Sequence, residues 1–207
     1  MCFSSTASFV AGGALSATGV ATVRKAKKHE LPLASIPFFF GIQQLADGLV
    51  WISPVASTFH LLGAYAYGFF AFVFWPTFSP LAVLMVEKNH SKRNQLQVLL
   101  LLGLGVSSFF LYHLVTEGVT AQVLHSCVAY NTPHPYDLAS LSLYLVAVVG
   151  AFLVSSKKLL KLFGILVFIS FLIAGWFYLE LFASVWCFCA GVLSFILLLY
   201  FLNPKRK

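Results

Sequence analysis

The feature that most constrains this chain is a succession of apolar stretches, each long enough to cross a lipid bilayer as a helix. A crossing takes about 20 apolar residues, because the hydrocarbon core is roughly 30 Å thick and a helix rises about 1.5 Å per residue. We identify seven such stretches, over residues 4–23, 32–53, 57–86, 96–115, 138–156, 159–181 and 184–202. The sequence therefore predicts an all-α integral membrane bundle in which residues 1–207 form one seven-helix transmembrane domain.

Composition excludes a soluble globular protein. Hydrophobic residues make up 60% of the chain and charged residues only 9%, against roughly 25% charged residues in an ordinary soluble domain. A chain of 207 residues could not hide so much apolar surface from water. The lipid bilayer is therefore the expected surroundings of most of the protein.

The basic residues predict the orientation of the bundle. The 13 lysines and arginines form four clusters, which are Arg24, Lys25, Lys27 and Lys28; Lys88, Lys92 and Arg93; Lys157, Lys158 and Lys161; and Lys205, Arg206 and Lys207. Each cluster follows an odd-numbered stretch, so seven crossings place all of them on one side. Because positive charge is retained in the cytoplasm, the N-terminus is expected outside and the C-terminus in the cytoplasm. The net charge of +7 then needs no nucleic-acid partner.

Two of the stretches carry features that bear on helix packing. Gly12, Ser16 and Gly19 lie on one face of the first helix, which predicts close approach of another helix backbone. In the third stretch, Pro76 and Pro80 lack the N–H groups of a regular helix and predict a kink or break. Such a kink could serve packing alone or could act as a hinge. Residues 116–137 form an outer loop with no room for a soluble domain.

Polar side chains within the apolar stretches are the candidate functional residues, because lipid penalises them. Asp47 lies in the second stretch, and Gln43 and Gln44 precede it by four and three residues, at a spacing that shares a helical face. Together with Trp51 and Glu180, these three residues are the predicted ligand-binding group. The alternative is an interhelical hydrogen bond that only fixes packing.

A second group, expected on the outer side, has the chemistry of metal ligands. His113 and Glu117 are four residues apart and share a helical face, and His60 is expected at the same end of the bundle. These three residues could hold a divalent transition metal. The alternative for His113 and Glu117 is an ordinary solvated pair at a helix end.

Three cysteines are expected on the oxidising side of the membrane. Two of Cys2, Cys127 and Cys187 could form a disulfide that joins the outer loop to the bundle. Free buried thiols are the alternative, and Cys189 is expected in the core.

Four segments carry a resemblance to known proteins: the N-terminal Met-Cys-Phe-Ser-Ser-Thr-Ala-Ser-Phe-Val, residues 41–51 (Gly-Ile-Gln-Gln-Leu-Ala-Asp-Gly-Leu-Val-Trp), Trp75-Pro76, and residues 184–190 (Ser-Val-Trp-Cys-Phe-Cys-Ala). At these residues the chain resembles a family of small bacterial multi-pass membrane proteins that begin Met-Cys-Phe-Ser and have no known function. The resemblance implies a bacterial cytoplasmic membrane protein. It brings no activity, substrate or catalytic residue.

Three functions are compatible with these patterns. In the first, an outward-facing polar cavity around Asp47 binds or transports a small solute, ion or proton. In the second, a metal-dependent hydrolase acts at the outer leaflet, with a metal held by His60, His113 and Glu117. In the third, the chain is a non-catalytic sensor or assembly subunit. No ATP-binding or hydrolase motif is present, and no catalytic residue is identified.

Overall fold

The computed structural model describes residues 4–124, 127–131, 138–177 and 181–202. Seven helices form within these residues: α1 (Ser5–Lys25), α2 (Lys28–Ile52), α3 (Thr58–Val86), α4 (His90–Thr116), α5 (Leu138–Val154), α6 (Lys158–Phe177) and α7 (Phe182–Leu202). Six of these seven helices are long and apolar enough to cross a membrane, and α5 is apolar but shorter. The protein is therefore a helical protein of the multi-pass membrane type.

Serine and asparagine side chains fix the start of three helices. Ser4 caps α1 by accepting a hydrogen bond from the Ala7 N–H at 3.2 Å. Ser57 caps α3 in the same way, through the His60 N–H. Asn89 caps α4, so this helix begins six residues before the apolar stretch that predicted it. Its first turns are polar because they lie outside the apolar part of the bundle.

Glycines allow α1 and α2 to approach closely. A β-carbon built on Gly19 would overlap the backbone of Phe38, and one built on Gly41 would overlap Ser16. The predicted small-residue face of α1 is therefore confirmed as a packing surface. The absence of side chains at these glycines brings the two backbones into contact, as is typical of helix pairs in membranes.

Helix α3 contains a π-helical segment, Phe69–Phe74, directly before Trp75-Pro76. Proline cannot donate the backbone hydrogen bond of a regular turn, and a π turn absorbs the misfit without breaking the helix. Neighbouring helices satisfy carbonyl groups in the segment. The Tyr144 hydroxyl donates to the Ala71 carbonyl and the Ser107 hydroxyl to the Val73 carbonyl, both at 2.6 Å. The disturbance expected from the prolines is therefore present, but it lies before Pro76 and the helix continues.

The bundle has two distinct ends. At one, which we call the basic end, the first turn of α2, Lys28–Glu30, packs against α3. At the same end, Glu87 in the α3–α4 loop accepts hydrogen bonds from the α5–α6 loop. The described members of the basic clusters lie at or near this end. The opposite end, which we call the hairpin end, carries the start of α1 and the α4–α5 connection. One continuous hydrophobic core joins the two ends.

The α4–α5 connection contains a β-hairpin that the sequence analysis did not predict. Strand β1 (Thr120–Leu124) pairs with β2 (Cys127–Asn131) in antiparallel register, with Ala121 opposite Tyr130. Four successive residues of β2, from Cys127 to Tyr130, are buried. Strand β2 therefore packs into the end of the bundle, whereas three of the five residues of β1 are exposed.

Candidate functional site

The centre of the candidate site is the Asp47 carboxylate, which is fully buried. The Ser8 hydroxyl of α1 donates a hydrogen bond to Oδ2, and the Tyr130 hydroxyl of β2 donates to Oδ1, both at 2.8 Å. Three elements far apart in the sequence thus meet at one carboxylate.

Tyr130 links the hairpin to the interior. Its ring stacks on Tyr67 of α3, with centroids 3.9 Å apart and planes 5° apart. Burial, and then the neighbouring Asp47 carboxylate, raise the pKa of Tyr130 well above its ordinary value of 10.0. The phenol therefore keeps its proton and remains a donor to Asp47. The Tyr67 hydroxyl donates in turn to the Ala183 carbonyl at the start of α7, at 3.1 Å.

Gln43 extends the polar cluster toward the middle of the bundle. Its Oε1 accepts a hydrogen bond of 2.9 Å from the Trp75 indole N–H. Trp75 in turn stacks on Phe40, with ring centroids 4.0 Å apart. The Cys187 thiol approaches the Gln43 amide, but Nε2 has no partner with hydrogen-bond geometry among the described residues.

Gln44 has the most unusual surroundings in the cluster. The side chain is fully buried, yet neither Nε2 nor Oε1 has a hydrogen-bond partner in the described part of the chain. The buried indole N–H of Trp51 likewise lacks one there. A buried polar group left unpaired costs roughly 1–3 kcal/mol, so such groups call for a physical explanation. Unfilled donors and acceptors three and four residues from Asp47 can hold water, an ion or a polar solute.

An internal cavity of about 30 Å³ lies beside the cluster. Trp75 and Cys187 border both the cavity and the polar cluster, and most of the remaining lining is apolar. The volume suffices for one or two water molecules. Asp47, Gln43 and Gln44 are wholly buried, so within the described part of the chain they are closed off from the surface.

The predicted metal ligands are only partly brought together. His113 Nδ1 lies 3.0 Å from Glu117 Oε1, as the spacing of four residues predicts. Within the described residues, however, no three histidine, cysteine, aspartate or glutamate side chains are grouped to hold a metal. His60 lies in a different cavity, described below. The hydrolase hypothesis thus gains no support from the described residues.

The sequence analysis considered a disulfide among three cysteines and a ligand-binding role for Glu180. Cys127 is disulfide-bonded, whereas Cys187 and Cys189 are free thiols. Cys187 is therefore not the disulfide partner that the sequence analysis considered. Cys2 and Glu180 lie outside the described residues.

Sequence reasoning found the α2 part of the cluster and missed its partners. Ser8 is one of several serines near the start of α1, and nothing in the sequence separates it from the others. Tyr130 lies in a segment interpreted as a loop. One signal could have identified it: Thr120–Leu124 and Cys127–Asn131 each contain two residues of high strand propensity and are separated by only two residues, as is typical of a hairpin.

The fold and this cluster define a membrane-type helical protein with a buried polar centre. Over residues 1–207 the sequence matches a family of unknown function, DUF6629, and the chain belongs to that family. No curated protein and no solved structure matches the chain.

Proposed function

We propose that the hairpin-end half of the bundle binds a small polar solute or ion at Asp47 and Gln44, and that this site serves its passage across the membrane. The observation that carries the proposal is Gln44, a fully buried amide with neither atom paired among the described residues. A side chain that served packing alone would be better replaced by an apolar one, because unpaired burial costs stability.

The chemistry of the cluster favours a small cation over an anion. Asp47 supplies carboxylate oxygens and Gln44 an amide oxygen, and the described part of the cluster holds no lysine or arginine. Oxygen atoms of this kind are the ligands that hard cations prefer. The hydroxyls of Ser8 and Tyr130, which now donate to Asp47, could rotate to present their oxygens to a bound ion.

The hairpin provides a means of closing the site. Tyr130 contacts both Asp47 and Tyr67, so withdrawal of β2 would uncover the carboxylate from the hairpin end. The π segment of α3, Phe69–Phe74, begins two residues after Tyr67. Because π turns are frequent at functional sites, we propose that α3 adjusts there when the hairpin moves.

The orientation of the bundle sets the side from which the site opens. We propose seven crossings, with the basic end in the cytoplasm and the hairpin end outside, because positive charge is retained in the cytoplasm. The membrane we propose is the bacterial cytoplasmic membrane. In this arrangement the Asp47 site lies in the outer half of the bilayer.

Ligand-dependent stability tests the proposal. The melting temperature of purified protein in detergent is compared in sodium, potassium, ammonium and choline chloride at equal ionic strength. Native mass spectrometry of the same preparation detects a neutral solute that remains bound. A ligand that binds only the folded state stabilises it by about 2.7 kcal/mol at roughly 100 times its dissociation constant.

We expect one small cation to raise the melting temperature above its value in choline chloride, or native mass spectrometry to detect a bound solute other than lipid. Asp47→Asn should remove either effect and leave a folded, inserted protein. Glu117→Gln, which alters a more exposed carboxylate at the same end, should retain it. The proposal is wrong if neither effect is found, or if Asp47→Asn retains it in full.

A further inference from the structure

A second cavity lies at the hairpin end, between the α2–α3 loop, the first turns of α3 and strand β1. Its volume is about 160 Å³. Among the described residues, its lining combines six apolar side chains with three polar ones, which are His60, Thr120 and Gln122. The cavity is therefore large enough for a polar group with a short apolar extension, and none of its lining residues contributes a described contact to Asp47.

His60 is the buried polar group of this cavity. Its backbone N–H is bonded to Ser57 Oγ at 3.2 Å, but its side chain, only 5% exposed, has no such bond at Nδ1 within the described residues. An imidazole nitrogen donates or accepts one hydrogen bond. A buried one without a partner loses that bond on folding, unless a molecule in the cavity supplies it.

Apolar side chains surround the cavity on the outer surface of the bundle. Val55 in its lining is 78% exposed, and Phe59 and Leu62 beside it are 65% and 58% exposed. These residues lie at the start of α3, where a spanning helix passes from the hydrocarbon core into the headgroup layer. Exposed apolar residues at this level contact acyl chains, so the cavity lies where a lipid has its headgroup and ester groups.

We propose that this cavity binds one phospholipid of the leaflet at the hairpin end. A phosphate or ester oxygen of the lipid accepts a hydrogen bond from His60 Nδ1, and Thr120 and Gln122 supply further donors. The first methylenes of the acyl chains contact Val55 and Leu61. This site is separate from the cation or solute site at Asp47, although it depends on the protein being embedded in a membrane.

Native mass spectrometry of protein released from nanodiscs tests the proposal. The nanodiscs contain equal parts of phosphatidylethanolamine and phosphatidylglycerol, and the fraction of chains that retain one phospholipid is measured after bulk lipid is stripped. His60→Leu replaces the imidazole by an apolar side chain of similar volume. Gln122→Leu, at an exposed strand position, is a second variant that leaves the core intact. His113→Leu removes another imidazole at the same end and is the matched control.

We expect the wild type and His113→Leu to retain one phospholipid per chain. His60→Leu should retain about five- to tenfold less, the loss expected from one hydrogen bond, and Gln122→Leu should retain less than the wild type. Delipidated protein incubated with glycerol phosphate or inorganic phosphate should retain neither compound. Equal retention by the wild type, His60→Leu and Gln122→Leu would overturn the proposal. So would binding of the soluble phosphates as tightly as the lipid.

Discussion

The buried carboxylates Glu87 and Asp47, at opposite ends of the bundle, have different surroundings. Glu87 at the basic end is 2% exposed and Asp47 at the hairpin end is wholly buried. Five donors bond to Glu87 at 2.6–3.4 Å, and they come from the loops that it joins: Lys88 N, Asn89 N, Ser155 Oγ, Ser156 N and Ser156 Oγ. The Arg93 guanidinium also donates to the Glu87 carbonyl. Glu87 thus joins two loops through a dense set of hydrogen bonds.

The Asp47 region is different because buried polar groups three and four residues away in α2 lack hydrogen-bond partners among the described residues. Ser8 and Tyr130 donate to the carboxylate, while Gln44, three residues earlier in the same helix, has no such partner there. Dense local pairing is what a structural carboxylate needs, since it offsets the cost of burial. Burial alone therefore does not identify a functional carboxylate. Our proposal for Asp47 rests instead on nearby buried groups of α2 that lack hydrogen-bond partners among the described residues.

The largest effect is expected at the basic end. Glu87→Ala removes the acceptor of five hydrogen bonds and leaves donors in two loops unpaired, so we expect the free energy of unfolding to fall by about 3 kcal/mol. Unfolding in mixed detergent micelles measures this change. Glu117→Ala, which removes a more exposed carboxylate, should change it by less than about 1 kcal/mol. Equal losses in the two variants would show that Glu87 is not a structural anchor.

Acid should weaken the same anchor. Burial alone would raise the pKa of Glu87, but hydrogen bonds from the Ser156 side chain and backbone, with those from Asn89 and Lys88, lower it from 4.5 to about 2. A lowered pKa means that the carboxylate contributes its full stability above pH 4.5, and that this contribution is lost as the pH falls toward 2. The free energy of unfolding measured across this range should fall with decreasing pH in the wild type, and should fall less steeply in Glu87→Gln. Parallel pH profiles for the two proteins would exclude this role.

At the hairpin end, loss of one hydroxyl should have a smaller effect. Tyr130→Phe removes the donor to Asp47 but keeps the ring that stacks on Tyr67, so we expect the free energy of unfolding to fall by about 1–2 kcal/mol. Tyr112→Phe, at a position 64% exposed, should be neutral. Opening of the hairpin, followed by hydrogen exchange at β2, should become faster in Tyr130→Phe. Unchanged exchange would contradict the idea that Tyr130 holds the hairpin closed.

The smallest change in stability is expected at Gln44. Gln44→Leu replaces a buried amide that has no partner among the described residues by an apolar side chain of similar size. The free energy of unfolding without added ligand should therefore stay within about 1 kcal/mol of the wild type or rise. Ligand-dependent stabilisation should nevertheless be lost, as is expected when a functional residue is replaced by a more stable one. A loss as large as that of Glu87→Ala would instead make Gln44 a structural residue.

The sequence predicted much of the fold, because the constraints on membrane helices are local. Runs of apolar residues and their boundaries gave helices close to those observed, and the glycine face of α1 was recognised from its spacing. Asp47, Gln43 and Gln44 were identified because one helix carries all three. The orientation and the seven crossings remain predictions, because they describe how the helices lie in a bilayer and not how they pack on one another.

The remainder could not be predicted because it depends on contacts between segments far apart in the chain. Tyr130 lies 83 residues from Asp47, and helical periodicity contains no information on which helices meet. For the same reason, His60 was grouped with His113 and Glu117, whereas the structure places it in the cavity beside β1. The five-donor environment of Glu87 also joins two separate loops, and its serines carry no distinguishing pattern.

The most direct test of the account is an experimental density map of the protein in lipid nanodiscs, at a resolution that shows ordered water and ions. The central claim is that Gln44 and Asp47 form a binding site. We expect non-protein density within hydrogen-bond distance of the Gln44 amide, on the side that faces Asp47. A dry site, in which both Gln44 atoms are bonded to protein groups, would contradict it and would make the cluster a packing element.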